Sequence, residues 1–233
     1  MIDNTFKILT QEQIQDLKNN SYTKLPQISF KDEIYNLDNI IQDKSKTYST
    51  NTEIHNAYTQ HYDIKKNLAE DLKSISNELL GINPKLDDIY DVTRIVRAED
   101  QTESYRFHFD SHLFTLVTPI IIPSSIDEES GQLLTFPGLR GEPSNELMNI
   151  LQKTFYKKIN SKESSRKLSL SKKMVEFNFK DNVPLLFLGR QTLHANRSFF
   201  NAINGTRITL LTHFFDPSPK YGIGSVLRKI RNR

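Results

Sequence analysis

The sequence predicts a mainly β domain of the sandwich or barrel type. After Pro84 the chain breaks into short runs rich in β-branched and aromatic residues: "DVTRIVR", "SYRFHFD", "FTLVTPIIIP", "QLLTFP", "MVEFNF", "PLLFLG" and "RITLLTHFF". Polar or Pro/Gly breaks separate these runs, and a single helical pattern interrupts them, which favours a sandwich or barrel over alternating β-α units. At 233 residues, the chain suits one undivided all-β core.

Composition narrows the class further. Hydrophobic residues make up 36% and charged residues 25%, with 14 Phe and 9 Tyr, a globular rather than disordered balance. The 31 Lys plus Arg against 28 Asp plus Glu leave a net charge of +3, which argues against nucleic acid as a partner. With no Cys, the chain has no disulfide, thiolate metal site or cysteine nucleophile, so any metal must be held by His and carboxylates. The start, "MIDNTFKILTQEQIQ", lacks a basic segment followed by an apolar run. No stretch approaches the roughly 18 apolar residues of a membrane span. The expectation is a soluble cytoplasmic protein with no membrane partner.

Taken in order, residues 1–85 read as an N-terminal helical flank of the same domain. It has a helix around Gln11 to Lys18, a polar loop "DKSKTYSTNTE", and a helix over 63–80. Ile64, Leu68, Leu72, Ile75 and Leu79 form the apolar stripe of that second helix, and Gly81 and Pro84 end it. Residues 86–217 form the β core. Within it, 143–173 is an insertion: "PSNELMNILQKTFYKK" places Leu147, Leu151 and Phe155 at helical spacing, and "INSKESSRKLSLSKK" reads as a mobile surface loop. The basic tail, 218–233, ends in "VLRKIRNR", a short helix with Val226, Leu227 and Ile230 available to dock.

The stretch "YRFHFDSHLF" (105–114) concentrates two histidines and an aspartate. In a strand, Arg106, His108, Asp110 and, if it continues, His112 share one face, while Tyr105, Phe107 and Phe109 share the other. Neighbours two apart are roughly 7 Å apart at Cα, so His108 and Asp110 can converge on one ion, whereas His112 lies about 13 Å from His108. A third ligand must come from elsewhere, from among His55, His61, His194 and His213. His194 stands where a strand meets a loop. Two histidines and a carboxylate on one octahedral face, with open positions, suit a non-heme ferrous oxygenase, and zinc or manganese would also fit. In "GTRIT", Arg207 and Thr209 share a strand face and form a carboxylate clamp, which points to an anionic co-substrate.

The ordered pieces "YRFHFD", "GQLLTFP", "LHAN" and "GTR" give 92–216 a resemblance to the 2-oxoglutarate and iron(II)-dependent oxygenases, in particular the prolyl 4-hydroxylase-like group. The resemblance implies a double-stranded β-helix (jelly roll) with the N-terminal helices packed on one sheet and a helical insertion. It further implies iron(II) bound by His108, Asp110 and His194, with 2-oxoglutarate and O2 as co-substrates. Arg207, assisted by Thr209, would hold the distal carboxylate of 2-oxoglutarate, and Tyr105 would line the co-substrate pocket. The sequence departs from the group's pattern by Arg207 in place of the usual Lys, and by Arg97 and Asp100 in place of an upstream Tyr and Gly. The related halogenases lack the carboxylate that Asp110 supplies, so its presence favours hydroxylation or desaturation.

The reaction expected from this resemblance is hydroxylation of a C–H bond in a small anionic substrate such as an amino acid or natural-product intermediate. Arg97, Arg106 and Arg140 are the candidates to pair with the substrate's charge, with His112 at the pocket rim. Two alternatives remain: a hydroxylase of protein or peptide side chains, and a non-catalytic metal- or sugar-binding jelly roll. Demethylation of nucleic acid is a third, which the weak net charge opposes.

Overall fold

The computed structural model describes residues 6–27, 48–49, 62–86, 88–98, 104–122, 131–179, 181–198 and 205–217. Most of the predicted polar loop at 43–53, together with His55, His61, Asp100 and the basic tail, lies outside the described residues. The elements in chain order are α1 (Gln11–Asn20), β1 (Tyr22–Lys24), β2 (Tyr48–Ser49), α2 (Tyr62–Leu80), β3 (Ile89–Arg97), β4 (Phe114–Ile121) and β5 (Leu133–Phe136). They continue with α3 (Glu146–Tyr156), α4 (Lys162–Ser169), β6 (Val175–Phe177), β7 (Leu185–Leu188), β8 (Leu193–Asn196) and β9 (Thr206–Phe214).

The strands form two antiparallel sheets: a major sheet ordered β1-β7-β4-β9-β3-β2 and a minor sheet ordered β6-β5-β8. Alternation along the strands assigns the faces. Val117, Leu185, Phe187, Leu133, Phe177 and Phe179 fill the space between the sheets. Each such side chain, fully buried, stabilises the fold by about 1.5–3 kcal/mol. This is the predicted jelly roll, a double-stranded β-helix.

The outer face of the major sheet carries the N-terminal helices. Leu68, Ala69, Leu72 and Ile75 of α2, with Leu17 of α1, pack on Phe114, Leu116, Leu186, Leu188 and Phe214. A capping box starts α1: Thr10 Oγ1 accepts from Gln13 N at 3.2 Å, and Gln13 Oε1 accepts from Thr10 N at 2.9 Å. The flank is tied to α2 by Asp71, whose buried carboxylate accepts from the backbone N–H groups of Lys7, Ile8 and Leu9 at 3.0, 2.7 and 2.9 Å. A buried carboxylate needs such partners, so Asp71 welds the chain start to the helix.

Two expectations are corrected. "SYRFHFD" is not a regular strand but makes two isolated pairings, Ser104 with Asn196 and His108 with His194. Its burial still alternates, because each side of the segment faces different packing. The stretch after "FYKK" contains the helix α4 rather than only loop, capped by Ser161, whose Oγ accepts from Ser164 N at 3.0 Å.

The insertion covers the outer face of the minor sheet. Tyr156, Ile159, Leu168 and Met174 pack against the cluster of Tyr105, Phe107, Phe109, Leu134, Phe136, Leu193 and Ala195. The stripe Leu147, Leu151 and Phe155 of α3 remains exposed, at 67%, 55% and 65%, because α3 docks through its other side.

Candidate active site

Backbone pairing brings the two histidines together. His108 N donates to His194 O and His194 N donates to His108 O, both at 3.0 Å, so the residues stand directly opposite each other with their side chains on one face. The ring centroids are 4.4 Å apart. Asp110, two residues on, projects to the same side, and its Oδ1 lies 3.7 Å from His108 Nε2 and 3.8 Å from His194 Nε2. One ligand atom from each of the three lies within 4.8 Å of the others, a spacing from which three atoms can reach one ion.

The tautomers follow from hydrogen-bond accounting. His108 Nδ1 contacts the carbonyl of Arg106 at 2.9 Å, and His194 Nδ1 contacts that of Thr192 at 3.1 Å. A carbonyl only accepts, so each Nδ1 carries a proton and each Nε2 is the ring nitrogen left to face the site. Nearly half of the His108 side chain is accessible, at 48%, while protein packs the ring on the side of His194 and Asp110. Desolvation there, then the charge of His194, push His108 down to about 3. Burial opposes ionisation of Asp110, but the charges of His194, His213 and His108 outweigh it and hold the carboxyl below its usual range. A divalent cation is held by neutral imidazoles and an ionised carboxylate, so metal binding and protonation compete at these three side chains.

The turn between β7 and β8 closes tightly on this segment. Asp110 N donates to Gly189 O at 3.0 Å, and a Cβ at Gly189 would lie 2.7 Å from His112 O, 2.9 Å from Thr115 Oγ1 and 3.1 Å from Asp110 Cβ. Only glycine permits this approach. On the far side of the segment, α3 and the loop before it brace it. The Arg140 guanidinium lies 3.9 Å over the Phe109 ring, and Lys153 Nζ donates to Ser111 Oγ at 3.1 Å.

Arg207 is buried, at 3% exposure, and its Nη1 donates to Oδ1 of Asn196, two residues beyond His194 on β8. Phe179 lies under the guanidinium at 5.5 Å, and Nε is buried without a hydrogen-bond partner. No carboxylate among the described residues pairs with it. Burial and the like charge of Arg94 push it down to about 9, still a cation at neutral pH. An unpaired cation in a dry interior is costly, and an anionic ligand removes that cost. Thr209 is buried on the same inner face, two residues along β9.

The remaining candidates fall in different places. Tyr105, expected at the co-substrate pocket, packs instead in the outer cluster of the minor sheet, on the other side of β8 from His194. Arg140, expected near substrate, spends its donors on protein: Nε on Arg190 O at 2.6 Å, Nη1 on Gln152 at 2.9 Å and Nη2 on Asn149 at 2.8 Å. Arg106, a candidate to pair with the substrate's charge, is exposed. Arg97 pairs with Thr206, one residue out of phase with Arg207, so the pleat turns it to the opposite face. The inward arginine of β3 is Arg94, which pairs with Thr209 and was not singled out in the sequence; the sheet register identifies it. His112 stacks on His213 at 4.8 Å rather than joining the triad.

No family model and no curated protein matches the sequence, but solved structures do match the fold. A prolyl 4-hydroxylase from Phytophthora capsici superposes with a TM-score of 0.55 at 9% identity, over 95% of this chain and 70% of that one. A Trichoplax adhaerens prolyl hydroxylase, solved with a hypoxia inducible factor oxygen degradation domain peptide fragment, gives 0.52 at 13% identity, over 88% and 87%. A Pseudomonas putida prolyl-4-hydroxylase gives 0.50 at 11%, over 89% and 94%. The chain therefore shares the jelly-roll fold of these prolyl hydroxylases.

Proposed function

We propose that the protein is a 2-oxoglutarate- and iron(II)-dependent dioxygenase that hydroxylates a C–H bond of a small anionic substrate such as an amino acid or natural-product intermediate. The observation that carries this reading is the pairing of two features in one interior: a His108–Asp110–His194 cluster with both Nε2 atoms facing the carboxylate, and a buried Arg207 with no carboxylate partner among the described residues. The donor set fits iron(II), since two neutral imidazoles and one carboxylate leave positions open for co-substrates.

In this reading His108, Asp110 and His194 hold the metal, and Arg207, with Thr209 beside it, holds the distal carboxylate of 2-oxoglutarate through charge-assisted hydrogen bonds. When bound there, iron(II) with 2-oxoglutarate and O2 would supply the oxidation, with succinate and CO2 as co-products. The protein would orient the co-substrate between its two anchors, and the buried Phe187, 4.9 Å from the His194 ring, shields that ring from water.

The test is turnover of 2-oxoglutarate by iron-loaded protein against free amino acids and against peptides, reading succinate and a product mass gain of one oxygen. Oxygen gain on a peptide alone would favour the second reading, a side-chain hydroxylase, which the peptide complex of the Trichoplax adhaerens protein brings into view. No succinate with any substrate, together with unchanged 2-oxoglutarate affinity in His108→Ala, sinks the oxygenase reading.

A further inference from the structure

Asp110 has two carboxylate oxygens, and the structure treats them differently. Oδ1 faces both ligand histidines at 3.7 and 3.8 Å. Oδ2 accepts from Thr115 Oγ1 at 2.6 Å. The same hydroxyl lies 3.0 Å from His213 Nδ1. A threonine hydroxyl has one proton, and an ionised carboxylate can only accept, so that proton goes to Oδ2. His213 Nδ1 must then carry its own proton and donate to Oγ1. The result is a directed chain from His213 to Thr115 to Asp110.

The chain is built into the sheet. Thr115 and His213 are paired across β4 and β9, and Tyr90 pairs with His213 across β3 and β9, so one row of the inner face runs Tyr90, His213, Thr115. Thr115 is buried at 1% and His213 at 9%. The His213 ring belongs to a cluster of three near-parallel rings, 4.8 Å from His112 and 6.2 Å from Tyr90, with Tyr90 and His112 6.3 Å apart. Gly189 closes the remaining side, with no room for a Cβ against Thr115 Oγ1 or Asp110 Cβ.

Building on the metal site proposed above, we infer that Thr115 and His213 are positioning residues that pin Asp110 Oδ2 and present Oδ1 alone to the metal. The carboxylate is thereby held as a one-oxygen ligand, and a coordination position that a chelating carboxylate would occupy is kept for the co-substrates. Outer partners of this kind orient a ligand and tune its donor strength.

The test uses cobalt(II) as the metal and the full chain, reading binding by equilibrium dialysis and coordination by the visible absorption bands. Thr115→Val keeps the shape and deletes the hydroxyl. It is expected to weaken cobalt(II) binding about 10–100-fold, the usual cost of losing such a partner, and to change the absorption bands. Thr115→Ser restores the hydroxyl and is expected to recover both. His213→Asn, whose amide can replace the Nδ1 donor, should retain binding better than His213→Leu, a comparison that stands even if Thr115→Val fails to fold. Equal affinity and equal spectra for the parent and Thr115→Val, or a Thr115→Ser as impaired as Thr115→Val, overturn the inference. A parent chain that takes up no cobalt(II) fails earlier and takes the metal reading with it, so the two failures are distinguishable.

Discussion

The two ends of the interior pocket are organised in opposite ways. At one end His108, Asp110 and His194 are supported by the protein: each Nδ1 is engaged by a carbonyl, Oδ2 by Thr115, and the segment's outer face by Arg140 and α3. At the other end Arg207 has one amide acceptor, an aromatic face and an orphaned Nε, with no carboxylate among the described residues. The first end is preorganised before any ligand arrives. The second holds a buried charge for which an anionic ligand would be a favourable partner. The fold thus positions the His108, Asp110 and His194 side chains through its own contacts, but gives the Arg207 guanidinium no carboxylate among the described residues.

The largest effect should come from breaking the first end. His194→Ala or Asp110→Ala should lower cobalt(II) affinity by more than the roughly 10–100-fold cost of losing an outer partner, and should abolish succinate formation. Dialysis and turnover read both, with 2-oxoglutarate-independent stability unaffected by the same margin.

Breaking the second end should act the other way on stability. Arg207→Met is expected to weaken 2-oxoglutarate binding about a hundredfold or more, since hydrogen bonds to a charged group contribute about 1.5–3 kcal/mol each. It should leave cobalt(II) affinity within a few-fold and raise the melting temperature of the ligand-free protein, because a buried unpaired cation is removed. Excess 2-oxoglutarate should stabilise the parent but not this variant. A lower melting temperature in Arg207→Met would show that the guanidinium is not costly as placed.

A smaller difference is expected in pH response. His108 and His112 are lowered to about 3 and about 4, desolvation being the first cause of each. Below about pH 6.5 the unfolded chain binds protons at these positions that the folded chain does not, so ligand-free stability should fall as pH drops from 6.5 toward 3. Asp110, held below its ordinary value, adds stability above that value that is lost as pH falls through its folded pKa. His108→Asn should reduce the slope measured by urea unfolding, whereas Arg207→Met should leave it unchanged, since that group stays a cation throughout this range.

The smallest effect is expected at His112. It stacks on His213 outside the triad, so His112→Ala should leave cobalt(II) binding within about threefold while reducing turnover more. Loss of metal equal to that of His194→Ala would place His112 among the ligands.

The sequence by itself determined much of this layout. Period-two alternation separated His108 and Asp110 from Phe107 and Phe109, and the helical stripe of Leu68, Leu72 and Ile75 marked α2, because these patterns depend only on local backbone geometry. It also excluded thiolate chemistry and pointed beyond the local stretch for a third ligand. Only the tertiary structure decided the rest. Which histidine meets His108 depends on pairing across 86 residues of chain separation, from His108 to His194, and no local period encodes that register. The same register turned Arg94 inward and Arg97 outward, carried Tyr105 to the outer cluster, occupied Arg140 with protein acceptors, and brought His213 from β9 onto Thr115. Alternation names the two faces of a strand; long-range pairing and packing choose which neighbours each face meets.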